Sequence, residues 1–187
     1  MAVRPPYLWL VILVLLLLAG CAPGRGLPAV PPGAAAYRLG PGDTVRLITY
    51  GEDSLSGEFR VSAAGTISVP LLGSVRAAGL TPTELGQSIA ALLKQEKLLL
   101  DPSVAAEVTA YRPIFVLGEV NKPGEYAYQP GMTVVTAAAV AGGFTYRAVE
   151  GYVSVVRTVD GKALEGKATR QTYLEPGDVV TVYERWF

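Results

Sequence analysis

The stretch 113–148, PIFVLGEVNKPGEYAYQPGMTVVTAAAVAGGFTYRA, leaves a chain few ways to fold. Its first part, 114–120, is an apolar run rich in Ile, Phe and Val that ends in Asn, Lys, Pro and Gly, the composition of a buried strand entering a tight turn. Pro123 sets φ for the first turn position, and Gly124 is expected at the positive φ of the second. Residues 125–128 then read as the return strand. A second Pro-Gly pair, Pro130 and Gly131, turns the chain into a short helix over 133–141 that Gly142 and Gly143 stop. Ala137, Ala138, Ala139 and Ala141 give this helix a thin wall, so it packs close against a sheet.

Upstream, residues 37–111 make a first unit. A short strand is expected at 37–39. Pro41-Gly42 turns it into 44–50, where Val45, Leu47 and Thr49 alternate against Arg46, Ile48 and Tyr50. Strands follow at 59–63 and 66–70, with Ala64-Gly65 as the turn between them. Then the period changes. Thr81-Pro82-Thr83-Glu84 is a capping-box pattern with Pro at the first helical position, and Leu85, Ile89, Leu92 and Leu93 share one helical face. Asp101-Pro102 precedes a strand over 103–111, with Val104, Ala106, Val108 and Ala110 on one side.

The second unit, 112–187, continues past Ala148 with a strand at 152–158, a turn at Asp160-Gly161, and strands at 171–174 and 179–183 around Glu175-Pro176-Gly177-Asp178. The fold class is therefore α+β, as two small domains: a strand-rich unit with one amphipathic helix, then a smaller sheet with a short helix. LGPGDTVRL near Gly42 and LEPGDVVTV near Gly177 look alike and read as one turn and strand used twice. Units of about 75 residues bury only about 60% of their unfolded surface. They are expected to lean on each other or on neighbours.

Charge and composition narrow the function. Lys plus Arg equals Asp plus Glu at 16 each, so no bulk positive field exists to collect nucleic acid. Histidine is absent and there is 1 Cys, which removes the usual general base and any zinc cage, and no cofactor or metal is expected. Neither a phosphate-cradling Gly-rich loop with Lys-Ser/Thr nor a G-x-S-x-G motif is present. Asp43 and Asp178 both follow Pro-Gly, where a carboxylate accepts backbone N–H groups and steadies the turn. Glu119 reads as structural too. Glu52-Asp53 sits in a loop with Gly and Ser and could serve a sugar-cleaving carboxylate pair, but nothing in the spacing supports that, and the chain is not read as an enzyme. Tyr146-Arg147, just past Gly143, is a candidate sugar contact through stacking and hydrogen bonding.

The start of the chain is a targeting device. Arg4 precedes an unbroken apolar run at 8–18, the length of a signal-peptide core rather than a spanning helix. Leu18-Ala19-Gly20-Cys21 follows and resembles the lipobox of bacterial lipoproteins. That likeness implies cleavage between Gly20 and Cys21, removal of 1–20, and lipidation of Cys21. Each buried acyl CH₂ contributes about 0.8 kcal/mol, so several chains anchor stably where one is marginal. Ala22, rather than Asp, follows the Cys, which in lipoproteins implies sorting to the outer membrane. Residues 22–36, Pro, Gly and Ala with Arg25, read as a semi-extended tether between Cys21 and the folded part.

Taken in order, YRLGPGDTVRL, VSAAGTISVPLLGSV, GLTPTELGQSIAALL and DPSVAAEV resemble the N-terminal domain of the bacterial polysaccharide export proteins. VLGEVNKPGEY, PGMTV and AGGFT resemble the SLBB module, a small β-grasp domain that follows it. The resemblance implies a lipid-anchored outer-membrane protein with its folded part in the periplasm. It would oligomerise into a ring-shaped conduit for capsular or exopolysaccharide. Its implied partners are copies of itself, the polysaccharide, and an inner-membrane chain-length regulator. The polar loop at 52–57, with Glu52 and Asp53, and the loop carrying Tyr146 and Arg147 are the expected lumen-facing or sugar-facing places. Larger members carry a second SLBB-like module and a pore-lining C-terminal helix, whereas this sequence reads to Phe187 without them. A second expectation therefore stays open, a periplasmic glycan-binding or adaptor lipoprotein that forms no channel.

Overall fold

The computed structural model describes residues 24–33, 36–159 and 161–185, so Gly20 and Cys21 lie outside the described residues. The first unit contains β1 (Thr44–Thr49), β2 (Gly57–Arg60), β3 (Thr66–Val69), β4 (Gly73–Arg76), α1 (Pro82–Gln95) and β5 (Val104–Ala110). β1 is the centre of an antiparallel sheet in the order β2-β1-β5, and β3-β4 is a separate hairpin. Val45 and Leu47 of β1 enter the core, while Arg46 points outward between Glu58 and Glu107. α1 starts as its sequence predicts: Thr81 accepts from the Glu84 N–H at 3.2 Å, and the Glu84 carboxylate accepts from the Thr81 N–H at 2.8 Å. That second bond, aided by Arg38, holds the Glu84 carboxyl below its usual pKa. Leu85, Ile89 and Leu93 are buried, and a Cβ on Gly86 would lie 2.7 Å from the Val104 carbonyl oxygen, so the helix sits close over β5.

Two expectations for this unit need correction. Residues 37–39 form no strand, and the segment 59–63 joins β3 only across the Ala64-Gly65 turn, where the Ser62 N–H donates to the Thr66 carbonyl at 2.8 Å. β2 stops at Arg60, and β3 instead folds back on β4, with Val69 opposite Gly73. The turn between them is compressed: Leu71 adopts φ 66°, and Gly73 takes φ 72° without strain. Burial of Ile67, Val69 and Val75 on one side of the hairpin holds it in place.

The second unit contains β6 (Ile114–Gly118), β7 (Gly124–Tyr126), α2 (Val134–Val140), β8 (Val153–Val159), β9 (Lys162–Ala168) and β10 (Val179–Val182). Its sheet runs β7-β6-β10-β8-β9, with β6 and β10 parallel and the other pairs antiparallel. With α2 between its second and third strands, this is the expected β-grasp. Val134, Ala137, Ala138 and Ala141 are buried in its core with Ile114, Val116, Val155 and Val180, and Ala139 faces out. The C-terminal end of α2 is gripped by the β6–β7 turn: Lys122 N–H donates to the Ala141 carbonyl at 2.8 Å, and Asn121 Nδ2 to Gly142 at 2.8 Å.

Here too details differ from expectation. Gly124 does not carry a positive φ; Gly118 does, at 81°, where a Cβ would collide with the Val182 carbonyl across the parallel pair. β9 has no signal of its own in the sequence, because KALEGKA lacks apolar alternation and its strand state comes from pairing with β8. Residues 171–174 form a turn with one bridge, Thr133 to Tyr173, instead of a strand. The described part of the tether, 24–33, is not a free spacer but lies on the second unit. Ala29 bridges Lys167 in parallel fashion, the Lys167 N–H donates to Pro28, and the Val30 N–H donates to Lys167 at 2.9 Å. The N–H and carbonyl of Lys167 on β9's outer edge are thereby satisfied, which ordinary tether composition does not announce.

Candidate functional site

The two Pro-Gly-Asp turns are built alike. In the first, Asp43 Oδ2 accepts from the Gly40 N–H at 2.8 Å and the Asp43 N–H donates to the Gly40 carbonyl. In the second, Asp178 Oδ2 accepts from the Glu175 N–H at 2.8 Å and the Asp178 N–H donates to the Glu175 carbonyl. Both carboxylates are buried, and each meets an arginine. Arg157 of β8 grips Asp178 two-pronged, with Nε to Oδ1 at 3.1 Å and Nη2 to Oδ2 at 2.6 Å. Burial alone would lower the Arg157 pKa, but the hydrogen bonds and charge of Asp178 outweigh it and raise it.

Arg112, between β5 and β6, does the same for Asp43 and also ties the two units. Its N–H donates to Asp43 Oδ1 at 2.8 Å, Nη1 reaches Asp43 Oδ2 at 3.2 Å, and Nε donates to the Pro176 carbonyl at 2.9 Å in the other turn. Gly42 and Gly177 lie against its stem and head: a Cβ would meet Arg112 Cβ at 3.5 Å in one case and Nε at 2.9 Å in the other. Tyr37 completes the knot. Its hydroxyl donates to Asp43 at 2.5 Å, and its ring packs edge-on to Tyr111, which packs edge-on to Tyr128 of the second unit, with centroids 5.0 and 5.5 Å apart. Burial first, and the Asp43 hydrogen bond second, push the Tyr37 hydroxyl well above the ordinary phenol range. Burial likewise raises Tyr128. The junction is thus a fixed joint of charge, aromatic rings and glycines. The sequence marked its two aspartates as turn-holders but not their arginines, since residues 69 positions apart, as Asp43 and Arg112 are, leave no spacing signal.

The sequence-predicted surface residues lie elsewhere. Glu52 and Asp53 open a short 3-10 turn (Asp53–Leu55) that buried Leu55 pins from below and Ser56 Oγ closes by donating to the Glu52 carbonyl at 3.1 Å. This loop follows the C-terminal end of β1, beside exposed Tyr50, whereas the junction sits at the strand's N-terminal end. Tyr146 is 82% exposed, and its carbonyl accepts from Arg185 at 2.9 Å; Arg147 pairs with Glu184. Both follow Thr145, whose hydroxyl donates to Glu119 at 2.5 Å beyond the end of β6. Glu119 is structural, as expected. The register thus places the two loops each at the end of its own sheet away from the junction, and the fold does not gather them into one site.

Residues 31–109 match the family described as polysaccharide biosynthesis/export protein, and residues 113–167 match the SLBB domain. Among curated proteins, the chain is 36% identical over 123 residues to the exopolysaccharide production protein ExoF of Rhizobium meliloti (strain 1021), covering 59% of this chain and 29% of ExoF. It is 30% identical over 189 residues to the EPS I polysaccharide export outer membrane protein EpsA of Ralstonia nicotianae, covering 81% of this chain and 48% of EpsA. It is 29% identical over 164 residues to the capsule polysaccharide export outer membrane protein CtrA of Neisseria meningitidis serogroup A, covering 83% of this chain and 40% of CtrA. The chain spans less than half the length of each of these relatives. With an export domain clamped to a β-grasp SLBB domain, the chain belongs to the polysaccharide biosynthesis/export protein family.

Proposed function

We propose that the chain is an outer-membrane lipoprotein, anchored through Cys21, whose periplasmic part closes head-to-tail into a ring and serves as a conduit for capsular or exopolysaccharide. The observation that carries this reading is the fixed junction, taken with the likeness to the polysaccharide export outer membrane proteins EpsA and CtrA. A heterologous contact closes into a ring only when each copy repeats one rotation. Two units swinging on a loose linker would give many rotations. Arg112, held at once by Asp43 and Pro176, gives the subunit one shape. Polysaccharide is hydrated, so its path is assigned to polar loops, with 52–57 on the lumen side. An inner-membrane chain-length regulator is the partner that would feed such a ring. Light scattering after size exclusion of detergent-extracted full-length protein, with electron microscopy of the same fraction, tests the reading. Closed rings are expected; a strict monomer at high concentration refutes the conduit and leaves the adaptor alternative.

A further inference from the structure

The docked segment 24–33 carries a consequence for the β-grasp unit. Gly24, the first described residue, packs against the Tyr183 ring so closely that a Cβ would lie 2.7 Å from Tyr183 Cζ. At its other end, Pro31 accepts from Arg157 at 2.8 Å, and Gly33 lies against the Glu175 carboxylate. The segment is therefore fixed at both ends. Cys21 is only three residues before Gly24, a reach of about 10 Å at most for an extended chain. The headgroup layer on one side of a bilayer is roughly 5–8 Å deep. Acyl chains on Cys21 would thus bring Tyr183 to the edge of that layer whatever path residues 21–23 take.

The surface around Tyr183 has the chemistry for that place. Tyr183 pairs with Tyr152 at a centroid distance of 6.0 Å, and Lys167 Nζ lies 4.8 Å over the Tyr152 ring. Tyr146 is 82% exposed, and its neighbour Arg147 backs onto the Tyr183–Arg185 segment: the Val149 N–H donates to the Tyr183 carbonyl and the Arg185 N–H to the Arg147 carbonyl. Val140, the last residue of α2, is also exposed, next to the turn at Asn121 and Lys122 that caps the helix. Rings with a polar tip, beside Lys and Arg, suit the headgroup level, where one end of the side chain is apolar and the other wet.

We propose that the end of the SLBB domain bearing Tyr146, Tyr152 and Tyr183 is a membrane-contact surface, seated in the phospholipid headgroups beside the lipidated Cys21. It rests on the Cys21 anchor proposed above, and it moves Tyr146 and Arg147 from the sugar path to the bilayer. The 52–57 loop, past the far end of β1, is then the part held away from lipid.

The test uses full-length purified lipoprotein in vesicles of phosphatidylethanolamine and phosphatidylglycerol with brominated acyl chains, which quench tryptophan at short range. In a Trp186→Phe background, Tyr146→Trp reports on the proposed surface and Tyr50→Trp, exposed beside the other loop, is the control. Mass spectrometry of the same samples reads the acylation of Cys21. The expected result is acylated Cys21, strong loss of emission for Tyr146→Trp, and unchanged emission for Tyr50→Trp. Acylated protein with no quenching at position 146, or with equal quenching at both positions, overturns the contact surface and leaves the anchor standing. Unmodified Cys21 in membrane-extracted protein overturns the anchor and the contact surface together.

Discussion

Replacing Asp178 by Asn tests whether the second Pro-Gly-Asp turn is held by charge or only by its hydrogen-bond pattern. The amide oxygen can still accept the Glu175 N–H, so the turn keeps its local bond. What disappears is the nearer and more buried of the two carboxylate charges facing Arg157, whose side chain is 3% exposed against 1% for Asp178. The remaining partners of Arg157 include the Pro31 and Tyr173 carbonyls at 2.8 and 3.0 Å, which satisfy N–H groups without neutralising a cation, and the Glu175 carboxylate, 3.7 Å from Nε and 30% exposed, which offsets part of the charge. Stripping one partner from a buried ion pair costs about 3–5 kcal/mol when the other charge is left uncompensated, and with Glu175 still beside Arg157 the low end, about 3 kcal/mol, is expected. In a domain of this size each kcal/mol moves the midpoint by about 4–8 °C, so a fall of at least about 12 °C is expected. Urea unfolding followed by far-UV circular dichroism, with an unchanged slope, gives the free energy directly. The control is Glu184→Gln, which breaks the half-exposed pair with Arg147 and should cost less than about 1 kcal/mol. If Asp178→Asn costs no more than that control, the charge is not what holds the turn and the reasoning fails. An Arg157→Met, Asp178→Leu double variant removes both charges and should lie between the two, since the Glu175 N–H then lacks its acceptor, a loss of about 1–3 kcal/mol.

Two further outcomes follow from the residues described. Tyr37 has a folded-state pKa raised above its unfolded value near 10, so its contribution to stability is full below pH 10 and is lost as pH rises beyond that; stability of Tyr37→Phe should therefore fall less steeply above pH 10 than wild type, and equal slopes would remove the linkage. The chain should leave its host's polysaccharide at full length on prolonged incubation, as judged by gel filtration; shortening that Glu52→Gln or Asp53→Asn abolishes would restore the carboxylate-pair alternative.

Much of the fold could be read from the sequence because local chemistry and tertiary packing agree. The α1 capping box, the apolar face of Leu85, Ile89 and Leu93, and the Ala-walled α2 with its glycine stop each carry their own instructions. The misses fall where a distant partner decides. KALEGKA becomes β9 only because β8 offers it an edge, and β3 chooses β4 because Leu71 and Gly73 permit a left-handed turn that Pro70 and the leucines do not advertise. Gly118 rather than Gly124 needs its special φ because β10, some sixty positions later, runs beside it. The docked tether was hidden for the same reason. Its Pro and Gly content forbids a core of its own, yet says nothing of whether β9 will leave an edge open for residues 28–30.

The two acid turns explain why the domains hold a fixed relation although each is small. Asp178 is caged entirely inside its own unit by Arg157 and Glu175, so the second turn completes itself. Asp43 is not so supplied. Its unit gives it the Gly40 N–H and the Tyr37 hydroxyl, while the cation comes from Arg112, at the exit of β5, whose Nε is oriented by the second unit's Pro176. The Gly177 N–H donates in turn to the Pro113 carbonyl, so the linker is bound on both of its sides. A carboxylate buried without its cation is costly, and the first unit reaches its full stability only with the second unit seated against it. Fixed geometry at the junction is thus a condition of burying Asp43, and the same condition gives a repeating assembly the constant subunit shape it needs.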